Sequence, residues 1–442
     1  MRNTSFLRSL ALRTVLAGIV LAGTAPGQAV AQPEKKGKPN KPPAPEPAAS
    51  LIRYDVPGGE TFFALSLKAE SLPAPAARDH VILVDTSASQ AGAHRRQALA
   101  VLEASLGALG KSDRVRLFAV DVRVMSLSDG FHPPQAEETK ESVAKLRRIV
   151  PLGATELAPA FETALKSFAG DRGRSIIYIG DGMSTAKLVK LPDLRELLTR
   201  LREARIAVTS FAIGPRTDLQ ILGSVAEHTG GVVFVDALID DAQVPPAEVG
   251  RKLAAAAAAP VFFPERITIS PDLDRLFPEV VPPIRADRTT ILLGKGRVGE
   301  TLKVAVAGEG RTLEWTVKPA PPQAGNTFLV GLWGLAEQTE GLAVAVAGQE
   351  LLDVARQEFE DNLQQLVGQG REAVAVRNLK LAEQVADLIR QLDPANVEAR
   401  TILNAVQKAK AAAAALDKEK KGTASGKDSD LLEQGPKSKK KK

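Results

Sequence analysis

The spacing of apolar residues alternates between two periods over one long region of the chain. Between residues 79 and 258, short apolar runs rich in β-branched residues are separated by longer stretches in which apolar residues recur every three or four positions. This alternation predicts an α/β domain with a mainly parallel central sheet flanked by helices. The predicted strands are Val81–Asp85, Val115–Val120, Ser175–Gly180, Ile206–Ile213 and Val232–Val235, with Val122–Leu127 as a candidate antiparallel edge strand. The predicted helices are His94–Leu109, Glu137–Ile149, Glu156–Ser167, Leu194–Glu203, Asp218–His228 and Ala247–Ala257.

Other patterns flank this domain on both sides. Residues 51–78 alternate like a lead-in strand, and residues 259–322 predict a small β-rich domain whose strands are separated by Gly and Pro. Residues 323–415 predict a helical segment. Within it, Leu392-Asp-Pro-Ala-Asn396 separates two helices, which resembles a tetratricopeptide-type (TPR-like) hairpin. Because one hairpin is too short for a solenoid, an ordinary packing pair of helices remains the alternative.

The two ends of the chain have the composition of non-globular segments. Residues 1–31 combine early arginines, an apolar run and a small-residue site at Ala29-Val30-Ala31, so they predict a signal peptide cleaved near Ala31. An uncleaved anchor is the alternative, but the apolar run of about 11 residues is short against the roughly 20 that span a bilayer. Residues 32–50 predict a Pro/Lys-rich linker, and residues 416–442 predict a disordered Lys-rich tail. We therefore expect an exported protein, periplasmic, in the cell envelope or secreted, with no transmembrane span in the mature chain.

Composition and charge restrict the partners of the folded region. Of the formal net charge of +6, the leader, the linker and the tail contribute about +9, which leaves the middle of the chain at about −3. A middle region of this charge gives little electrostatic support for nucleic-acid binding. Aromatic residues make up only 4% of the chain, and cysteine is absent. Stacking platforms are therefore disfavoured, and disulfides, thiolate metal sites and cysteine nucleophiles are excluded.

One motif carries most of the chemical information. The apolar run Val81-Ile-Leu-Val84 leads directly into Asp85-Thr-Ser87-Ala-Ser89, a D-x-S-x-S pattern at the carboxyl end of a predicted strand, where ligands of open parallel sheets bind. The chain here resembles the von Willebrand factor A family, a Rossmann-like fold, whose metal-ion-dependent adhesion site combines D-x-S-x-S with a Thr and an Asp from two other loops. The resemblance implies Thr155, in Leu152-Gly-Ala-Thr-Glu-Leu157, and Asp181, in Ile176-Ile-Tyr-Ile-Gly-Asp-Gly182. Two positions depart from the usual pattern, which has Gly at Ala88 and a hydrophobic residue at Gln90.

The predicted donors all present oxygen, which suits a hard cation. The metal site implied by the resemblance comprises Asp85, Ser87, Ser89, Thr155 and Asp181, with Mg²⁺, or Mn²⁺ or Ca²⁺, as its cofactor. If a carboxylate acts through water, the cation keeps much of its charge and can accept a carboxylate from a partner. The alternative for each residue is local, since Asp, Ser and Thr also cap helices and close turns.

The sequence thus predicts a binding protein and not an enzyme, because a hydrolase would also need a positioned base or nucleophile. The expected partner is a protein ligand that presents an acidic residue, and the Lys-rich tail could bind an anionic cell-surface polymer. The order of lead-in strand, A domain and β-rich segment is also loosely similar to inter-alpha-trypsin inhibitor heavy chains. A structural scaffold of the cell envelope, acting without metal through its helical C-terminal part, is the alternative function.

Overall fold

The computed structural model describes residues 47–73, 77–186, 189–236, 244–271 and 273–427, with side chains up to residue 415. The predicted signal peptide, most of the linker and the end of the tail lie outside the described residues. The chain divides into two compact units: Asn40–Gln357, and a second unit that the structure describes from Glu358 to Lys427.

The first unit begins with a hairpin, where the sequence pattern predicted a single lead-in strand. Strand β1 (Ala49–Asp55) pairs antiparallel with β2 (Thr61–Leu67). The hairpin forms because Pro57-Gly58-Gly59 provides a turn between the two strands, which the alternation of apolar residues does not by itself indicate. Gly58 has a φ of 68°, a conformation that glycine adopts without strain, and the Val56 N–H donates to the Glu60 carbonyl across the turn at 3.0 Å.

The predicted α/β domain is present, with a six-stranded sheet in the order β5-β4-β3-β6-β7-β8. All neighbouring strands are parallel except the edge strand β5. The strands are β3 (Arg78–Asp85), β4 (Arg114–Val120), β5 (Val124–Ser126), β6 (Gly173–Gly180), β7 (Ala207–Ala212) and β8 (Val233–Val235).

Among the residues that the structure describes, six helices cover this sheet, three on each face. They are α1 (Ala93–Ala108), α2 (Glu137–Arg148), α3 (Leu157–Ser167), α4 (Leu191–Glu203), α5 (Leu219–Thr229) and α6 (Pro246–Ala258). Alternate residues of β3 face opposite cores: Val81 and Leu83 pack with α3, α4 and α5, while Ile82 and Val84 pack with α1, α2 and α6. Both faces of the sheet are buried, so the sequences of its strands are continuous apolar runs.

The remaining strands form a β-sandwich that includes the N-terminal hairpin. They are β9 (Val261–Phe262), β10 (Arg266–Ser270), β11 (Arg275–Phe277), β12 (Ile284–Arg285), β13 (Thr290–Lys295), β14 (Leu302–Gly308) and β15 (Arg311–Val317). One sheet has the order β1-β2-β13-β11 and the other β10-β14-β15, with β9 and β12 as a separate pair. Leu65 of β2 and Val304 of β14 share one core. Residues 259–322 therefore do not fold as a separate body, because β13 pairs with β2 and the α/β domain is inserted between them.

Two arginines join the sandwich to the α/β domain. Arg285, fully buried, donates to the carbonyl of Gly230 after α5 and to that of Ala256 in α6, both at 2.8 Å. Arg288 forms a buried ion pair with Glu227 of α5, with 2.7 Å between Nη1 and Oε2. These contacts satisfy polar groups at the ends of two helices, which would otherwise be buried without partners.

Helices complete both units. They are α7 (Phe328–Thr339), α8 (Gln349–Ala375), α9 (Leu379–Leu392) and α10 (Val397–Lys427). In the first unit, Trp333 of α7 packs between Phe62 and Phe277 of the sandwich, with ring centroids 6.3 and 5.1 Å apart. Among the described helices, none is long and apolar enough to cross a membrane.

The second unit is built from the rest of α8 and from α9 and α10. Ala382, Ile389 and Ile402 lie in its core, and the predicted Asp393–Asn396 turn separates α9 from α10. Helix α10 continues to Lys427, past residue 415 where the sequence pattern ended the helical segment. Alanine has the highest helix propensity, so the run Ala411–Ala415 propagates a helix without needing an apolar face.

Candidate metal centre

Asp85 and Asp181 lie side by side because they follow neighbouring strands. Asp85 ends β3, and Asp181 comes directly after β6, which is parallel to β3 and paired with it. Gly180 permits this close approach, since a Cβ there would lie 2.4 Å from the Asp85 Cβ. Both carboxylate residues are buried, with 1% and 2% of their surface exposed.

The D-x-S-x-S loop folds back on the Asp85 carboxylate. The Ser87 N–H donates to Asp85 Oδ1 at 2.8 Å, and the hydroxyls of Ser87 and Ser89 are 2.9 Å apart. Asp85 therefore does close a local turn, as the alternative interpretation held. The two serine hydroxyls do not cap a helix: Ser87 makes no side-chain capping bond, and the N-cap of α1 is Gly92.

Thr155 reaches the same carboxylate from the second loop. Its hydroxyl donates to Asp85 Oδ2 at 3.0 Å and also lies 3.2 Å from Oδ1. Backbone bonds hold the second loop beside the first, since Leu152 N–H donates to the Thr86 carbonyl and Ala88 N–H donates to that of Gly153. The N-cap of α3 is Glu156, so the Thr155 hydroxyl is directed to Asp85 and not to a helix end.

Asp181 completes the group from the third loop. Its Oδ1 accepts from the Met183 N–H at 2.9 Å, and the nearby side chains of Ser89 and Gln90 lower the pKa of its carboxyl group. Ser89 therefore lies between the two acidic residues, within hydrogen-bond distance of Ser87 and beside Asp181. The structure brings all five predicted side chains together.

Two further side chains lie against this group, and neither was predicted from the sequence to belong to the site. The Tyr178 hydroxyl, on β6, donates to Asp85 Oδ2 at 3.1 Å, and the Gln90 amide donates to the Ile213 carbonyl at 2.9 Å. In the sequence, Tyr178 is one member of an apolar strand and Gln90 is a departure from the family pattern. Their only signal is their position near the motif residues.

The two carboxyl groups share a polar but poorly solvated site. Burial, together with the charge of Asp181, raises the pKa of Asp85 to about 6, although hydrogen bonds from Ser87 and Thr155 oppose the rise. Burial likewise raises the pKa of Asp181 and that of the Tyr178 hydroxyl. Two buried acids and three hydroxyls in one cluster fit a hard divalent cation, which would offset the cost of burying the carboxylates.

Other metal and catalytic arrangements have less support in the structure. No group of three or more His, Cys, Asp or Glu side chains is arranged to hold a metal in the part of the chain that is described. A second polar set joins Ser175 Oγ to His80 Nδ1 at 2.6 Å, with Asp113 3.7 Å from the other ring nitrogen. Ser175 and His80 are fully buried, so this serine is not accessible to a substrate.

Comparison with known proteins identifies the fold of this domain. Residues 79–234 match the model of the von Willebrand factor type A domain. The chain therefore contains a von Willebrand factor type A domain, and this A domain is inserted between β2 and β9. Such domains are commonly protein-interaction modules and often bind a divalent metal at the corresponding site. No curated protein sequence matches the chain.

The chain also has similarity to solved structures at low sequence identity. A von Willebrand factor type A protein from Catenulispora acidiphila has a TM-score of 0.42 and 14% identity, with 78% of this chain and 83% of that chain covered. The ArnB paralog VWA2 from Sulfolobus acidocaldarius has a TM-score of 0.38 and 15% identity, with 82% and 98% covered. The human COPII-coat protein Sec24c has a TM-score of 0.40 and 12% identity, with 78% and 60% covered. The similarity to inter-alpha-trypsin inhibitor heavy chains stays a prediction.

Proposed function

We propose that the A domain binds Mg²⁺ at this cluster and uses the cation to bind a carboxylate of a protein partner, with Mn²⁺ and Ca²⁺ as possible substitutes. The proposal rests on the convergence of side chains from three separate loops. Thr155 lies 70 residues beyond Asp85 in the chain, yet its hydroxyl donates to the Asp85 carboxylate. Asp181 approaches from a third loop, directly after a strand that pairs with β3, and lies beside Ser89 of the serine pair.

The hydrogen bonds distinguish the residues that would bind the cation directly from those that would position these ligands. A hydroxyl that donates its proton to a carboxylate keeps its oxygen lone pairs for a cation. Thr155 donates in this way to Asp85, and the Ser89 hydroxyl lies beside the Asp181 carboxylate. Neutral hydroxyl ligands would leave the cation with most of its charge, and a bound cation would supply the attraction for an anionic group of the partner. We therefore assign Thr155, Ser87 and Ser89 as direct ligands, and the two aspartates as the groups that hold them.

Metal titration tests the cation site. Isothermal titration of Mg²⁺ or Mn²⁺ into the purified full chain should show one saturable site, and Asp85→Ala should abolish it. Asp171→Ala, which changes an exposed aspartate on the loop before β6, is the matched control and should leave the site intact. A wild-type protein without a saturable site would reject the proposal.

Binding of a partner, as opposed to catalysis, is the second part of the proposal. Proteins captured by the full chain should be released by EDTA and should be absent with Asp85→Ala. Activity screens with ester and phosphoester substrates should be negative, because we assign the carboxylates and hydroxyls of the cluster to holding the cation. Turnover that depends on Asp85 would contradict this part.

Export is proposed from the leader alone, which lies outside the described residues. Cell fractionation followed by mass spectrometry of the N-terminus should recover a chain that begins near Gln32 outside the cytoplasm. A cytoplasmic chain that retains Met1 would contradict export.

A metal-independent scaffold is the second candidate function, because the second unit has a hydrophobic core of its own. The TPR-like pair of α9 and α10 would then make the contacts. In that case the captured proteins would be the same with and without EDTA, and they would be lost when α9 and α10 are deleted.

A further inference from the structure

A buried phenol hydroxyl lies directly beneath the proposed metal centre. Tyr178 is fully buried in β6, and its ring packs 6.1 Å from that of Phe161. Its hydroxyl is the only part of the side chain that meets polar groups among the contacts described. It donates to Asp85 Oδ2 at 3.1 Å and accepts from the Gly182 N–H at 3.2 Å. One atom thus connects the first loop of the site to the third.

The contacts of Asp85 show what this hydroxyl contributes. Oδ1 accepts from the Ser87 N–H, and Thr155 donates to the carboxylate from the second loop. The Tyr178 hydroxyl donates to Oδ2 from strand β6, beneath the loops of the site. The terminal torsion of an aspartate is broad and poorly fixed by intrinsic preference, so its orientation depends on such donors. The carboxylate in turn determines where the Thr155 hydroxyl points.

We propose that Tyr178 is a positioning residue, whose hydroxyl fixes the Asp85 carboxylate and couples it to the Asp181–Gly182 loop so that the hydroxyl ligands face the cation. The inference rests on the proposed metal site. Tyr178 does not touch the cation itself and acts through Asp85 and the backbone of Gly182. Its hydroxyl responds when a cation binds, because both of its partners belong to the loops that hold the cation.

The close packing of the third loop supports this coupling. A Cβ on Gly182 would lie 2.7 Å from the side chain of Leu222, so the loop has little room to move away from Tyr178. Removing the hydroxyl would leave the Gly182 N–H and Asp85 Oδ2 each without one partner. Buried polar groups that lose a partner favour rearrangement, and here the groups that rearrange would be those that position the ligands.

The test begins with Tyr178→Phe, which removes one oxygen and keeps the ring. Isothermal titration with Mg²⁺ should show roughly tenfold weaker binding than wild type. Tyr54→Phe is the matched control, since Tyr54 is the other of the two tyrosines and lies in β1 of the sandwich. It should leave the Mg²⁺ affinity unchanged.

A spectroscopic measurement on the wild-type protein separates positioning from a structural role. With ring-¹³C tyrosine, Tyr54→Phe assigns the two sets of signals, and Mg²⁺ should shift the Tyr178 signals but not those of Tyr54. If Tyr178→Phe fails to fold, this shift still tests the proposal. Unshifted Tyr178 signals, or equal affinity in wild type and a folded Tyr178→Phe, would overturn the positioning role while Mg²⁺ binding stands. Failure of the wild type to bind Mg²⁺ would overturn the proposed function as well.

Discussion

Asp85 is the residue on which the three loops of the A domain converge. Its carboxylate receives hydrogen bonds from Ser87, Thr155 and Tyr178, which come from three different segments. Burial and the charge of Asp181 favour the protonated acid, whereas the hydrogen bonds from Ser87 and Thr155 favour the carboxylate, and the resulting pKa of about 6 reflects both influences. A cation would shift this balance towards the carboxylate.

Gly180 provides a steric test of this arrangement. Gly180→Ala would place a Cβ 2.4 Å from the Asp85 Cβ and 2.5 Å from the Tyr178 hydroxyl, so we expect a loss of about 1–3 kcal/mol in the free energy of unfolding and weaker Mg²⁺ binding. Gly107→Ala is the control, because no atom lies within 4 Å of its Cβ position on α1. That change should stabilise the protein by about 0.5–1 kcal/mol. Urea unfolding measures both, and an unaffected Gly180→Ala variant would contradict the close approach.

His228 predicts a pH dependence that is independent of the metal centre. Burial, with a smaller effect of the Arg202 charge, lowers the pKa of His228 to about 4, and its Nε2 lies 3.2 Å from the Gly341 carbonyl. The unfolded chain takes up a proton near pH 6.5, before the folded chain does. Stability should therefore fall between pH 6.5 and pH 4, with about 3 kcal/mol due to this residue. Urea unfolding of His228→Gln should show a smaller decline over this range, and an equal decline would refute the assignment.

The elements of the A domain follow from local patterns, and their ends are set by local contacts. Predicted and observed strands differ by a few residues at their ends, and β5 forms as the antiparallel edge strand. The two short strands β9 and β12 had no detectable pattern, because two residues are too few for a period. In the second unit, Asn378 caps α9 by accepting from the Leu381 N–H.

The Asn378 cap gives a prediction for one helix. Asn378→Ala should destabilise α9 by about 1 kcal/mol, since the Leu381 N–H loses its acceptor, whereas Asn378→Asp should be nearly neutral. Hydrogen exchange with mass spectrometry should show faster exchange at the first turn of α9 in the alanine variant alone. Equal exchange in the two variants would mean that the cap contributes nothing.

In the first unit as a whole, the inserted A domain and the sandwich are held together by buried charge. Glu227 and Arg288 have side chains 0% and 3% exposed, and the Ile291 N–H also donates to Glu227. A buried charge is stable only with its partner. The pair therefore makes the position of α5 depend on the segment before β13.

Breaking this pair should be costly, and replacing both partners should be much less so. Arg288→Met alone should lower the free energy of unfolding by about 3–5 kcal/mol, because Glu227 stays buried without its cation. The double variant Glu227→Met with Arg288→Met should recover most of that loss. Urea unfolding of the single and double variants measures the difference, and additive losses would contradict the coupling.

The sequence by itself determined the alternation of strands and helices, the parallel sheet and the three motif segments that contribute Asp85, Thr155 and Asp181. These features are local, because the period of apolar residues and the residue types at turns depend only on residues that are near one another in the sequence. Tertiary structure decided what lies far apart in the chain: the pairing of β2 with β13, the insertion of the A domain, and the approach of Tyr178 to Asp85. Strand pairing and buried hydrogen bonds depend on which surfaces pack together in the folded chain. A local sequence pattern does not indicate which surfaces these are.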